Sequence, residues 1–342
     1  MVTKIFQLLL LISPIAVGTN IEIDKFDLIF FRTAVIFLFM GSLLDKPRRS
    51  MPEVLNKIIL GLLGLCMANL FIYTFAPAVL ATSMNIFVAV LGFSIVYVYL
   101  DEKADLKKYI LWAALINVLY FASQKAGFDP IMDKAPNAGK EFMGAFAGNS
   151  ARLGTYLALV LPFAPMVFIP VGMAMALITK QYVLFIPVVL MIWPRLVTRW
   201  QRLIMIGVCA SAGAILGKHI LYSIMVTRFD AVWKEVLIRF FDRSLIGYGL
   251  GVQIIPFLDG LFNSYLQFIV AVGILGAVWF GYVFKNIYKK ISWDRESIAF
   301  MTLALSMLIE YPIETPRLWI LIVGILVMFA LKWTEKIKEA VA

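Results

Sequence analysis

Cysteine and histidine are nearly absent from this 342-residue chain, which has two cysteines and one histidine. Cys66 and Cys209 both lie inside apolar runs, a placement that indicates neither a disulfide framework nor a cysteine-rich metal cluster. His219 alone cannot build the multi-histidine sites that bind zinc or iron. We therefore expect no metal site in this protein.

Charge is also scarce, since only 15% of the residues are charged, against about a quarter in typical soluble domains. Hydrophobic residues make up 62% of the chain, and the mean hydropathy is +0.90. This composition predicts an all-α integral membrane protein in which residues 1–342 form a single polytopic domain. The net charge of +10 is spread over short loops beside apolar runs, a pattern typical of membrane topology and not of a nucleic-acid partner.

The apolar runs predict about twelve transmembrane helices, because a membrane-spanning helix needs about 20 apolar residues with a lower limit near 17. The predicted spans lie near residues 4–20, 27–44, 56–75, 81–100, 107–124, 151–165, 166–179, 181–194, 203–222, 263–284, 298–312 and 317–332. Cytoplasmic loops carry an excess of Lys and Arg. Placing every basic loop on one side requires an odd number of crossings between Lys125 and Arg195, and it puts both termini in the cytoplasm.

The same assignment places two long polar segments outside, residues 124–150 and residues 222–262. The second segment contains an amphipathic helix with an apolar stripe that includes Phe229 and Trp233. Arg228 has no acidic partner at helical spacing, and it lies in the first turn, where the helix dipole disfavours a cation. A bound anion would compensate it, whereas the alternative is a solvated arginine that contacts only lipid headgroups.

An ordered set of motifs follows in the second half of the chain. It comprises an arginine with a tryptophan five residues later, a Gly-x-Gly turn, an Asn-x-x-Leu-Gln sequence that opens an apolar run, and Gly-Ile-Leu-Gly inside that run. The residues are Arg228, Trp233, Gly247, Gly249, Asn263, Leu266, Gln267, Gly273 and Gly276. This order resembles the O-antigen ligase and O-antigen polymerase family of membrane glycosyltransferases. Phe262 stands where the family has a histidine.

The resemblance implies transfer of a glycan from a polyprenyl-pyrophosphate carrier to an acceptor hydroxyl, on the outer face of a bacterial inner membrane. The implied partners are the carrier-linked donor, a glycan or lipid acceptor and membrane lipid. No cofactor is required, because the pyrophosphate is already a good leaving group. The missing histidine favours a polymerase over a ligase proper. A secondary transporter or lipid flippase is a further alternative, and an inactive homologue is another.

The candidate site residues are mainly external cations and carboxylates. Arg228, Asp259 and Glu310 are the catalytic candidates, the first for the leaving phosphates and the others as bases. The candidates for substrate binding are Arg152, Lys180, Arg239, Asn263, Gln267 and Arg317. Snorkelling to the membrane interface is the structural alternative for Arg152 and Lys180, and an ion pair with Arg317 is the alternative for Glu310.

Three glycines occur in the sequence Gly247-x-Gly249-x-Gly251, and a glycine-rich loop of this kind can bind a nucleotide. No strand is predicted before it, and its spacing is not Gly-x-Gly-x-x-Gly. We therefore predict a tight turn at these glycines.

Overall fold

The computed structural model describes residues 1–12, 23–74, 76–126, 150–179, 182–207, 238, 240–251, 264–309 and 318–341. Within these ranges the regular structure is helical, and no strand occurs, which confirms the all-α prediction there. The longer helices are α1 Val2–Ile12, α2 Ile23–Leu43, α3 Glu53–Ile72, α4 Pro77–Tyr99, α5 Leu106–Lys125, α6 Ser150–Val160, α7 Ile169–Thr179, α8 Phe185–Ile192, α9 Ser264–Val272, α10 Ile274–Ile287, α11 Arg295–Ile309 and α12 Trp319–Val341. Residues 199–207 are also helical.

Local sequence signals set several helix starts. The Asp105 side chain caps α5 by accepting the Lys108 N–H at 3.2 Å, which satisfies one of the free donors of the first turn. Asp294 caps α11 in the same way, accepting the Ser297 N–H at 2.8 Å. Pro77 occupies the first turn of α4, where its missing N–H costs nothing.

The largest buried cluster joins α1, α2, the start of α3, α4, α5, α6, α11 and α12. Phe6, Phe31, Tyr97, Leu159 and Ile325 are among its fully buried side chains. A second, smaller cluster lies between α3, α4 and α9 and includes Leu250 from the segment before α9. Helices from the first half of the chain therefore pack directly against helices from the second half.

The basic loops meet at one end of the bundle, which we name the basic end. Arg48 Nη1 lies 3.0 Å from Asp101 Oδ2, and this pair joins the α2–α3 loop to the α4–α5 loop. Lys107 Nζ lies 2.5 Å from Glu296 Oε1, and this pair joins the start of α5 to the start of α11. These two ion pairs show that the α2–α3, α4–α5 and α10–α11 connections lie at the same end of the bundle.

The start of α1 lies at the basic end too. The Met1 ammonium is 2.6 Å from Asp45 Oδ2, and the Val2 N–H donates to the same oxygen at 3.2 Å. The hydrogen bond from this ammonium, aided by backbone N–H donors, holds the pKa of the Asp45 carboxyl below its ordinary value. The Asp101 N–H donates to the Thr3 hydroxyl at 2.9 Å, so α1 is tied to two loops.

The helices α6, α7 and α8 fall within the three short runs predicted at 151–165, 166–179 and 181–194. Leu153 of α6 shares a buried cluster with Phe121 near the end of α5 and with Leu184 just before α8. Pro162, after α6, lines the same cavity as Arg195, after α8. The helices α6 and α8 therefore point towards the basic end, and α7 returns between them.

Length and apolar composition together separate α3 and α4 from the other helices of the described residues. These two helices, of 20 and 23 residues, are long and apolar enough to cross a membrane by length and composition. By contrast, α6 and α7 have 11 residues each, or about 16 Å at 1.5 Å per residue, roughly half of a hydrocarbon core.

The run predicted as one span at 263–284 is not a continuous helix. It divides into α9 and α10 at Gly273, which has a φ of 79°. A φ in this left-handed region cannot continue a right-handed helix, and glycine is the residue that adopts it at no steric cost. The prediction of an uninterrupted helix here was therefore wrong.

Candidate functional site

The structure describes a small part of the predicted site. Gln267 is the only predicted site residue whose side chain lies within the described part, and for Arg152 the description extends to the backbone of α6. The other predicted site residues lie outside the described residues, as does Phe262; they are Arg228, Asp259, Glu310, Lys180, Arg239, Asn263 and Arg317. The described residues that flank these positions in sequence include the glycine motif and the helix break.

The Gly-x-Gly-x-Gly motif forms the turn that the sequence predicted, and we name residues 247–251 the glycine turn. All three glycines have positive φ, with values of 69° at Gly247, 99° at Gly249 and 73° at Gly251. L-residues with side chains rarely adopt such angles. The motif is therefore a backbone requirement of this turn.

The glycine turn docks onto the break between α9 and α10. The Tyr248 N–H donates to the Val270 carbonyl at 3.0 Å, and the Gly249 N–H donates to the Ala271 carbonyl at 2.9 Å. Both acceptors belong to the last turn of α9, where helix carbonyls have no intrahelical donor. The Ile274 N–H, at the start of α10, donates to the Ser244 carbonyl at 2.7 Å, so both helix ends at the break are satisfied.

Gly247 and Gly273 make this docking possible because their backbones approach closely. A Cβ atom added at Gly247 would lie 2.6 Å from Gly273 N, and one added at Gly273 would lie 2.8 Å from Gly247 N. Both distances are shorter than real Cβ contacts. The glycine turn and the Gly273 motif, which are separate in the sequence, therefore contact each other through their backbones.

Two polar side chains at the end of α3 hold the glycine turn from the other side. Asn69 is buried, and its Oδ1 accepts the Leu250 N–H at 2.8 Å while its Nδ2 donates to the Ala271 carbonyl at 3.5 Å. The Tyr73 hydroxyl donates to the Gly247 carbonyl. Sequence reasoning missed both residues, since neither carries a motif and their partners are distant in the chain.

Gln267 lies on α9, and its side-chain oxygen has no hydrogen-bond donor among the described residues. Its Oε1 is buried and has no hydrogen-bond partner among the described residues, and the same is true of the Ser264 hydroxyl one turn earlier. Buried polar atoms are normally paired, and an unpaired one costs about 1–3 kcal/mol. Ser264 was not predicted, although its i,i+3 spacing from Gln267 is a signal that it shares that helix face.

The glycine turn lies far from the basic end. The helix α3 starts just after the Arg48 loop and has 20 residues before it reaches Tyr73, a rise of about 30 Å. The α4 residue Thr82, six positions into that helix, is the neighbour of Gly251. The bundle therefore has a basic end and, opposite it, an end that carries the glycine turn and the end of α9.

These observations define an α-helical protein with two long apolar helices and a glycine turn locked into a broken helix. No protein-family model, curated protein or solved structure matches the chain.

Proposed function

We propose that this chain is a polytopic membrane glycosyltransferase that moves a glycan from a polyprenyl-pyrophosphate carrier to an acceptor hydroxyl. The observation that carries the proposal is the contact between Gly247 and Gly273. It joins two motifs of the O-antigen ligase and polymerase pattern that stand 26 positions apart in sequence. The contact explains why both positions are glycine, because a side chain at either one would overlap the backbone of the other.

The outer surface of the long helices supports a membrane setting. On α3, Leu60 is 66% exposed and Phe71 is 64% exposed, and on α4, Met84 is 49% exposed. Large apolar side chains on most of a helix surface are disfavoured in water and favoured in lipid. We accordingly propose a multi-pass protein of about twelve spans in a bacterial inner membrane.

The proposed orientation follows from the two ends of the bundle. Because positive loops are retained in the cytoplasm, the basic end and both termini face the cytoplasm, and the glycine turn faces outside. The external segments 124–150 and 222–262 then lie on the same side as the glycine turn and the end of α9. The catalytic face is external, where a carrier-linked glycan meets its acceptor.

The proposed chemistry needs neither metal nor nucleotide. An acceptor hydroxyl attacks the anomeric carbon, the bond from that carbon to the pyrophosphate oxygen breaks, and the hydroxyl proton passes to a carboxylate, Asp259 or Glu310. Arg228 balances the charge on the departing pyrophosphate. The cations Arg152, Lys180, Arg239 and Arg317 bind the donor phosphates, and Asn263 and Gln267 contact the sugar, with Ser264 one turn from Gln267.

The test is extension of a carrier-linked oligosaccharide by the purified protein. Losing one charge-stabilising group typically costs about 100- to 1,000-fold in rate, and we expect a loss of this size for Arg228→Ala. Arg199→Ala is the matched control, since Arg199 is an exposed arginine in the basic loop after α8 and should retain full activity. Equal rates for the two variants would remove Arg228 from the site.

The acceptor separates the two transferase classes. A polymerase extends one carrier-linked unit with another, and we expect this product because Phe262 replaces the family histidine. A ligase proper passes the glycan to a lipid acceptor instead. Product analysis with both acceptors present distinguishes them, and transfer to the lipid acceptor alone would favour the ligase.

One observation favours a second class, a secondary transporter or lipid flippase. Transporters place substrate sites at interrupted helices, and α9 and α10 are interrupted at Gly273. In proteoliposomes, movement of a labelled carrier lipid across the bilayer with no new glycosidic bond would support this class. Bond formation without net carrier movement would support the transferase.

A further inference from the structure

We propose that a cavity at the basic end binds the phosphate of an anionic phospholipid between Arg195 and Arg295. The cavity is separate from the glycine turn and lies at the opposite end of the bundle. The proposal depends on a membrane setting but not on glycan transfer, so either proposal can fail without the other.

The cavity has a volume of about 90 Å³ and lies between the segment after α6, the end of α8 and the start of α11. Its lining includes the two arginines Arg195 and Arg295 and the apolar residues Met166, Met191 and Ile298. Arg295 is held in place by Nη1, which donates to the Phe163 carbonyl at 3.1 Å. The site thus combines two guanidinium groups with an apolar wall.

The neighbouring carboxylates are engaged elsewhere. Asp294 Oδ1 accepts the Ser297 N–H at 2.8 Å, and its Oδ2 accepts the Ser292 hydroxyl. Glu296 is paired with Lys107 at 2.5 Å. Within the described part of the chain, no ion pair joins a carboxylate to either cavity arginine.

Arg48 and Arg49 at the basic end differ in this respect, since Arg48 lies 3.0 Å from Asp101 and Arg49 lies 3.6 Å from Glu102. Both cavity arginines are exposed, so their guanidinium groups are accessible to an anion from outside. What distinguishes them from the other arginines of this end is that they line one cavity together. The planar guanidinium group is well suited to phosphate.

The size of the cavity and its surroundings define the class of anion. Small-molecule sites usually have about 300–1,000 Å³, so this cavity of about 90 Å³ admits only a small group such as a phosphate. Apolar side chains lie exposed just after Arg195, with Val197 at 85%, Trp200 at 75% and Ile204 at 64%. A phospholipid fits this arrangement, with its phosphate inside and its chains along the apolar surface.

The experiment measures lipid binding to the purified full-length chain by native mass spectrometry and by thermal unfolding. The probes are phosphatidylglycerol, phosphatidylcholine and inorganic phosphate. Arg195→Gln is the test variant, because no hydrogen bond of the Arg195 side chain joins it to the described residues. Arg199→Gln is the matched control, since it removes the same charge from the same loop outside the cavity.

We expect wild type and Arg199→Gln to bind phosphatidylglycerol about tenfold more tightly than Arg195→Gln does, the effect of losing one charge-assisted hydrogen bond. Arg195→Lys, which keeps the charge, should be intermediate and guards against a folding defect. Equal binding by both Gln variants, or equal binding of phosphatidylcholine, would overturn the proposal. Saturation by inorganic phosphate with no preference for the lipid would assign the cavity to a free anion and would also overturn it.

Discussion

Asn69 is a buried amide in the last turn of α3, at the end opposite the basic end, and it forms a hydrogen bond with the glycine turn 181 positions away. Its two hydrogen bonds reach both Leu250 and Ala271, so one side chain links α3 to the glycine turn and to α9. A buried N–H that loses its acceptor retains the full cost of its desolvation. Asn69 is therefore a structural support for the site, although it lies outside every motif of the sequence.

We predict that Asn69→Ala lowers the free energy of unfolding by about 1–3 kcal/mol, because the Leu250 N–H loses its buried acceptor. The measurement is thermal or denaturant unfolding of the purified protein in detergent. Asn56→Ala on the same helix is the control, since the Asn56 side chain is exposed and donates a long 3.5 Å bond to Met51. Equal effects of the two substitutions would refute the supporting role of Asn69.

Individual residues show why the site was only partly predictable from sequence. The glycine turn was predicted because glycine adopts positive φ angles easily, so closely spaced glycines indicate a tight turn from the sequence alone. Asn69 and Tyr73 were missed because their importance depends on partners brought close only by folding. Ser264 carried a weak local signal through its spacing from Gln267, and its buried, unpaired hydroxyl became evident only from the packing of α9.

At the level of the helices, hydropathy located the elements well and their continuity poorly. The helices α3, α4 and α5 match the runs predicted at 56–75, 81–100 and 107–124, because an apolar run bounded by charged or turn residues marks both ends of a helix. The break between α9 and α10 gave no such signal. Glycine is common in membrane helices, and only the distant Gly247 makes Gly273 a point of interruption.

We predict that Gly273→Ala destabilises the protein by at least about 1–2 kcal/mol, the cost of a left-handed conformation for an L-residue. The added Cβ would also meet the backbone of Gly247. Thermal unfolding measures the effect. If the glycine contact also carries the proposed activity, extension of the carrier-linked glycan should fall together with stability.

Gly281→Ala in α10 is the matched control for this substitution. Its added Cβ would meet nothing within 4 Å, and alanine favours a helix over glycine by about 0.5–1 kcal/mol. The control should therefore be neutral or slightly stabilising. A similar destabilisation by both substitutions would show that the helix break does not depend on the glycine contact.

For the whole molecule, the arrangement of charge relates the fold to the proposed topology. The pairs Arg48–Asp101 and Lys107–Glu296 join loops that the sequence assigns to the cytoplasm. The helices α6, α7 and α8 alternate in direction, so Arg195 lies at the basic end. This agrees with the odd number of crossings that the sequence predicts between Lys125 and Arg195. Hydropathy could not establish this, because helices of 8 to 11 residues are too short to identify as spans.

The topology gives a test that involves no enzymology. Single cysteines introduced at Lys180 and Arg199 should lie on opposite sides of the membrane, because α8 runs between them towards the basic end. A charged, membrane-impermeant thiol reagent applied to intact cells should label Lys180→Cys, whereas Arg199→Cys should react only after permeabilisation. The unmodified chain gives the background, and Cys66 should contribute little to it because that residue is fully buried.

Lys103→Cys, in the loop joined to Arg48 through Asp101, should behave like Arg199→Cys and so reports the cytoplasmic side independently. Labelling of 180 and 199 from the same side would mean that residues 182–195 re-enter without crossing. The basic end would then contain loops from both faces, and the external position of the glycine turn would lose its support. Opposite labelling would instead leave that turn, the end of α9 and the segment that contains Arg228 together on the outer face, where a carrier-linked glycan is accessible.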